Sequence, residues 1–159
     1  MGDFFSLCDL CASVVKFLRR RKIMSDMKGK RFVTSEDVET QVFDWGRIKW
    51  MSEPLVTNAE KFSMGIVLLE PGKGHANHNH PGVEEILYVF SGEGEQAVAG
   101  ERRKIGPGTL IHIPPDVYHE TINTGWEQMK IIAIYAPPGP EAELRQMPEC
   151  KIIPPGKRT

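Results

Sequence analysis

Residues 72–92 read Gly72-Lys73-Gly74-His75-Ala76-Asn77-His78-Asn79-His80-Pro81-Gly82-Val83-Glu84-Glu85-Ile86-Leu87-Tyr88-Val89-Phe90-Ser91-Gly92. Three histidines and two glutamates fall within eleven residues, and an apolar run follows them. Residues i and i+2 of a strand point to the same face, so His78 and His80 can aim both imidazoles at one point. Glu84-Glu85 supplies a carboxylate close behind them, and Glu85–Phe90 has the β-branched and aromatic content of a strand. Pro71-Gly72, Pro81-Gly82 and Ser91-Gly92 punctuate the stretch as turns.

The texture continues outward in both directions. Strands are expected at 46–51, 62–70, 95–99, 109–113, 118–123 and 130–136, each bounded by Gly, Pro, Asn or Asp. Short strands at this spacing, with no helical stretch between them, predict an all-β sandwich or barrel. Fifteen glycines and twelve prolines in 159 residues suit that class better than a helical bundle. Arg102-Arg103-Lys104 is read as a solvated hairpin tip, because three charges do not make a nucleic-acid patch.

Two flanking segments differ from this middle. Residues 1–30 hold seven Lys/Arg against three Asp, a charge of +4, whereas the remainder carries −5. Phe4, Leu7, Cys11, Val14, Val15 and Leu18 recur at helical spacing, so the leader reads as a basic, amphipathic, helix-compatible appendage. Its charges follow rather than precede its apolar residues, which is the reverse of a secretory signal. After Tyr135 come six of the twelve prolines. Residues 141–159 are therefore expected to form a Pro-rich strap, with Pro140 opening a short helical turn. The expected division is leader 1–30, barrel 31–140 and strap 141–159.

Composition bounds the function. A 40% hydrophobic, 26% charged chain of net charge −1 gives no electrostatic case for nucleic acid, and no run reaches the length of a membrane span. Three cysteines, Cys8, Cys11 and Cys150, do not make a disulfide framework, and a reducing cytoplasm is the expected compartment. No phosphate-cradling loop stands out, nor does a Ser-His-Asp or Cys-His nucleophile arrangement. His119 lies beyond two further strands. Three imidazoles and one carboxylate on neighbouring strands suit a divalent transition metal with coordination positions left open.

The run Gly72-x5-His78-x-His80-x4-Glu85-x6-Gly92 resembles the first cupin motif at every fixed position. Gly108-x5-Pro114-x-Asp116-x2-His119-x3-Asn123 resembles the second, with Asp116 replacing its middle glycine. Asp tolerates turn and left-handed backbone, so the departure is mild. The resemblance implies a cupin-type double-stranded jelly-roll barrel around a single metal, often dimeric. It assigns His78, His80, Glu85 and His119 as the ligands; counting back six residues from Gly92 selects Glu85 over Glu84. With Glu85 inward, Leu87 and Val89 also face in, and Ile86, Tyr88 and Phe90 form the opposite face.

The implied cofactor is one divalent metal, with Fe or Mn favoured and Zn, Ni or Cu compatible. The implied partner is a small oxygenated molecule chelated to it, with a second copy of the chain as an expected homodimer mate. Cupins run many chemistries on one barrel. The leading expectation is a dioxygenase-like enzyme. A redox-neutral isomerase, decarboxylase or lyase is the alternative, and a binding or sensing barrel without turnover is a third. The redox-neutral route needs an acid or base beside the metal, for which His75, Tyr135 and Glu84 are the candidates. His75 is read as a residue of a Gly-rich loop, and His112 as packed or hydrogen-bonded. Thr121 and Asn123 share strand parity with His119 and so are candidates to surround the site.

Overall fold

The computed structural model describes residues 29–156, so the leader, expected to be helical or disordered, lies outside the described residues except for its last two positions. Eleven strands and one short helix follow: β1 (Thr40–Phe43), β2 (Gly46–Ser52), β3 (Ser63–Leu69), β4 (Gly74–His78), β5 (Glu84–Ser91), β6 (Gly94–Val98), β7 (Glu101–Ile105), β8 (Leu110–Ile113), β9 (His119–Asn123), β10 (Met129–Ala136), α1 (Pro140–Gln146) and β11 (Lys151–Ile153). Inward residues alternate with outward ones along β2, β3 and β10, as expected where one face of a sheet is buried and the other is not.

Two antiparallel sheets, ordered β11-β1-β2-β3-β10-β5-β8 and β4-β9-β6-β7, form an all-β jelly-roll barrel. Ile48, Trp50, Val67, Leu69, Leu87, Val89, Ile131 and Tyr135 fill its interior. Gly65 is needed there: a Cβ on it would stand 2.8 Å from the Trp50 ring. On β5, Glu85, Leu87 and Val89 are buried while Tyr88 and Phe90 are exposed, so the alternation expected of that strand holds. Asp116 has φ 66°, the left-handed backbone that the glycine of the second motif would supply. Its carboxylate accepts the Gly82 amide at 3.1 Å, tying the two motif loops together.

Three strands were not anticipated. Arg102-Arg103-Lys104 is not a hairpin tip but the body of β7, and the tip is Ala99-Gly100, at φ 51° and 82°. The segment is polar because β7 is an edge strand, where charge protects unpaired backbone. Arg102 pairs across the sheet with Glu120 and with Glu95. β1 and β11 are short and pair with each other, so neither carries enough alternation to be read locally.

The segment after β10 does open a helix at Pro140, with Glu141 and Glu143 in the first turn and Arg145 in the last. Buried polar contacts dock that helix. Ser63 donates to Glu141 at 2.9 Å, Gln41 donates to the Glu141 carbonyl at 3.3 Å, and Trp50 Nε1 donates to Gln41 at 3.2 Å. Arg145 reaches both Glu39 and Glu53, at 2.7 and 2.6 Å. No helix among the described residues is long and apolar enough to cross a membrane.

Candidate metal centre

Strand pairing delivers the histidines to one place. β4 lies directly beside β9, with His78 opposite His119, and their rings stand 4.2 Å apart. His80, just past the end of β4, has its ring 4.8 Å from His78 and 5.3 Å from His119. One ring nitrogen from each of His78, His80 and His119 falls within 4.8 Å of the others, close enough for a single ion to be shared. Glu85 enters from the opposite sheet on β5. Its Oε2 is 2.9 Å from His119 Nε2 and 3.5 Å from His80 Nε2.

Hydrogen bonds set the ring orientations. His78 Nδ1 lies 2.7 Å from the Ala76 carbonyl, and His119 Nδ1 lies 3.0 Å from the Val117 carbonyl. A carbonyl only accepts, so each Nδ1 carries the proton, and in the neutral ring Nε2 keeps the lone pair; His119 Nε2 faces the Glu85 carboxylate. That tautomer is the one a coordinating imidazole needs, with a backbone carbonyl acting as the outer partner. The opposing atoms are unsatisfied. His80 Nε2 and Glu85 Oε2 are buried without a hydrogen-bond partner, their mutual approach lacking hydrogen-bond geometry. Buried polar atoms seldom go unpaired, so this donor set fits a divalent cation.

The electrostatics agree. Burial alone would push the Glu85 carboxyl up, but the His119 and His80 imidazoles outweigh it and hold it down at about 2. Burial pushes His78 down, against the pull of the Ala76 carbonyl. At His119 burial also disfavours the cation, yet Glu85 and the Val117 carbonyl leave its value raised. Burial, with Glu85 beside it, drives the Tyr135 hydroxyl well above its usual value. Its ring lies 4.9 Å from His80, so a protonated phenol sits within the cluster at neutral pH.

A cavity of about 30 Å³ opens among these groups. Ile48, Val67, Leu69, Leu87, Ile131 and Ala133 form its apolar wall, and His75, His78, Glu85, His119, Thr121 and Tyr135 supply its polar atoms. Of the remaining candidates, Thr121 donates to Gln96 at 2.5 Å, and Asn123 holds the Leu69 and Glu127 carbonyls rather than facing the cavity. Glu84 and His112 are exposed and bonded to each other at 2.5 Å, and neither lines the cavity.

His75 is the residue that sequence spacing misplaces. It lies three positions before His78, which in a regular strand would put the two side chains on opposite faces. The structure instead places it in β4, and a bulge between His75 and His78 changes the register by one. Both rings therefore face the interior. The His75 ring meets the Trp45 edge at 4.0 Å and His78 at 5.3 Å, and burial lowers its value to about 3. Nothing in the sequence around Trp45 marks it as a wall for a buried imidazole.

A two-sheet β-barrel with an interior cluster of imidazoles and a carboxylate that could hold a metal ion defines the class. Residues 65–135 match the cupin domain family. Over 119 residues the chain is 27% identical to the polyketide synthase CurC of Streptomyces cyaneus, covering 75% of this chain and 77% of that one. Over 68 residues it is 43% identical to a glucose-6-phosphate isomerase of Thermococcus kodakarensis, covering 40% of this chain and 35% of that protein. An RmlC-like cupin from Shewanella frigidimarina superposes with a TM-score of 0.62 at 18% identity, covering 71% of this chain and 96% of that one. Residues 65–135 thus carry a cupin domain, and the barrel around them has the fold of RmlC-like cupins.

Proposed function

We propose that this chain is a mononuclear metal-dependent enzyme that acts on a small oxygenated molecule chelated at His78, His80, Glu85 and His119. The observation that carries the reading is the pair of buried atoms His80 Nε2 and Glu85 Oε2, which have no hydrogen-bond partner, set beside two imidazoles whose Nδ1–H groups are held by backbone carbonyls so that Nε2 is the nitrogen turned to the cluster. A divalent metal there supplies Lewis-acid polarisation of a chelating molecule's oxygens and, if it is iron, access to dioxygen. The chain's own contribution is to orient the donors and to hold a protonated phenol at Tyr135 close to Glu85. The apolar wall limits water around the chelated molecule.

Two reaction classes fit this arrangement. Dioxygenation needs only the donor set and open coordination positions. Redox-neutral isomerisation or decarboxylation needs a proton carrier as well, and Tyr135 is placed for it; the likeness to a glucose-6-phosphate isomerase over 68 residues favours this second class. The test is to strip the protein with a chelator and reload it with Fe(II) or Mn(II) under nitrogen. Uptake near one equivalent is expected, and no uptake would overturn the metal-enzyme reading. Oxygen consumption by the iron form with small hydroxy or keto acids supports dioxygenation. Exchange of the acid's α-proton into deuterated solvent without oxygen uptake supports the redox-neutral class.

A further inference from the structure

Among the described residues, the cavity's polar side chains are nearly all committed. His78, Glu85 and His119, together with His80, form the donor set; Thr121 donates to Gln96, and Tyr135 lies against Glu85. His75 is the exception. Its Nε2 is buried and has no hydrogen-bond partner, although the ring lines the same cavity as His78, Glu85 and His119. The ring is held by the Trp45 edge at 4.0 Å, and Trp45 is itself stacked on Phe43 at 4.6 Å with an interplanar angle of 8°. A strand bulge aims this imidazole inward, which a solvent-facing histidine would not require. A buried ring nitrogen without a partner is unfavourable in the empty protein and becomes favourable once a ligand atom satisfies it.

We propose that His75 is a substrate-binding residue, whose Nε2 hydrogen-bonds an oxygen of the molecule chelated at the His78–His80–His119 centre. The inference rests on the reading of that centre as a metal site. Either tautomer serves, because Nε2 then donates to or accepts from a hydroxyl oxygen. The surroundings also limit the molecule's class. No lysine or arginine lines the cavity among the described residues. Apart from the metal, a phosphate group would meet one carboxylate, imidazoles and aliphatic walls, with no lysine or arginine to hold its remaining oxygens. The ligand that suits this lining is unphosphorylated, with two adjacent oxygens for the metal, one of them shared with His75, as in an α-hydroxy acid.

The test uses the Mn(II)-loaded full chain, with glycolate as the probe, in wild type, His75→Phe and His75→Gln. Phenylalanine keeps a ring against Trp45 and removes the nitrogen, whereas glutamine returns a polar group at similar reach. Manganese stoichiometry is read by elemental analysis and glycolate affinity by calorimetry. All three proteins are expected to hold the same manganese. Glycolate should bind His75→Phe about tenfold more weakly than wild type, the equivalent of one lost hydrogen bond, and His75→Gln should recover most of that loss. Wild type and His75→Phe binding glycolate equally, or not at all, overturns the role of His75 and leaves the metal site standing. Loss of manganese in His75→Phe also overturns it, because the ring would then be serving the metal. Wild type that takes up no manganese overturns the metal centre, and this inference with it.

Discussion

Two groups of buried polar side chains share this small barrel, and their hydrogen bonding differs. Where the C-terminal helix docks, Glu39, Glu53, Arg145, Glu141, Ser63 and Gln41 are tied to one another, with Arg145 between two carboxylates and Glu141 accepting from Ser63 and from the Gly139 amide. In the barrel cavity, His75 Nε2, His80 Nε2 and Glu85 Oε2 are buried with no partner. The first group spends its polarity on holding the fold together. The second retains unmet bonding capacity, as expected of a site that awaits a ligand.

Breaking one group should therefore leave the other's property intact. The largest effect is expected from His119→Ala or His80→Ala, which should lower metal affinity by about 100-fold or more and, by taking an imidazole from the buried Glu85 carboxylate, lower the metal-free melting temperature by a smaller margin. Equilibrium dialysis against Mn(II), with calorimetric melting of the metal-free proteins, reads both quantities. The converse is Arg145→Met. Removing the cation strands Glu53 and Glu39 in a poorly solvated setting, with a stability loss of about 3 kcal/mol in urea titration. Burial already pushes the Glu53 carboxyl up even with Arg145 present. Manganese stoichiometry of the folded Arg145→Met protein should equal that of wild type; a matching loss of metal would join the two regions into one functional unit.

The smallest effect lies outside both groups and serves as a control. Asp37 accepts hydrogen bonds from the Thr34 amide, Lys30 and the Thr34 hydroxyl, which lower its carboxyl from 3.8 to about 2. Its contribution is fully present above the unfolded value and disappears as pH falls from about 4 towards 2. Asp37→Asn should thus flatten the acid limb of the stability curve slightly in that window, without changing metal uptake. Acid titrations of the two proteins that superpose would remove this contribution from the account.

The motif positions of the cavity were legible through the likeness to the two cupin motifs, and for His78 and His80 through strand parity as well. His78 and His80 share strand parity, and Glu85 and His119 stand at fixed intervals from turn glycines or prolines. Asp116 was readable as a tolerated glycine replacement because the left-handed backbone it adopts is one that Asp accepts. His75 reads in the sequence only as an acid–base candidate in a Gly-rich loop; its inward aim on β4 was not legible, since a bulge reverses parity and no local residue announces it. The edge strand β7 hid behind its charges, whose reason is visible only once the sheet order is known. The docking group was the least readable, because Arg145 meets partners 106 and 92 residues away. Periodicity reports which face of an element is buried, not which distant side chain shares that burial.

The central claim is that the unmet bonds at His80 Nε2 and Glu85 Oε2 belong to one metal ion. Anomalous diffraction from a crystal of the manganese- or zinc-loaded protein tests it most directly. The account predicts a single strong peak at about 2.1 Å from a ring nitrogen of His78, His80 and His119 and from a Glu85 oxygen. A peak elsewhere in the barrel, or a fully loaded protein with no peak among these four side chains, would contradict it.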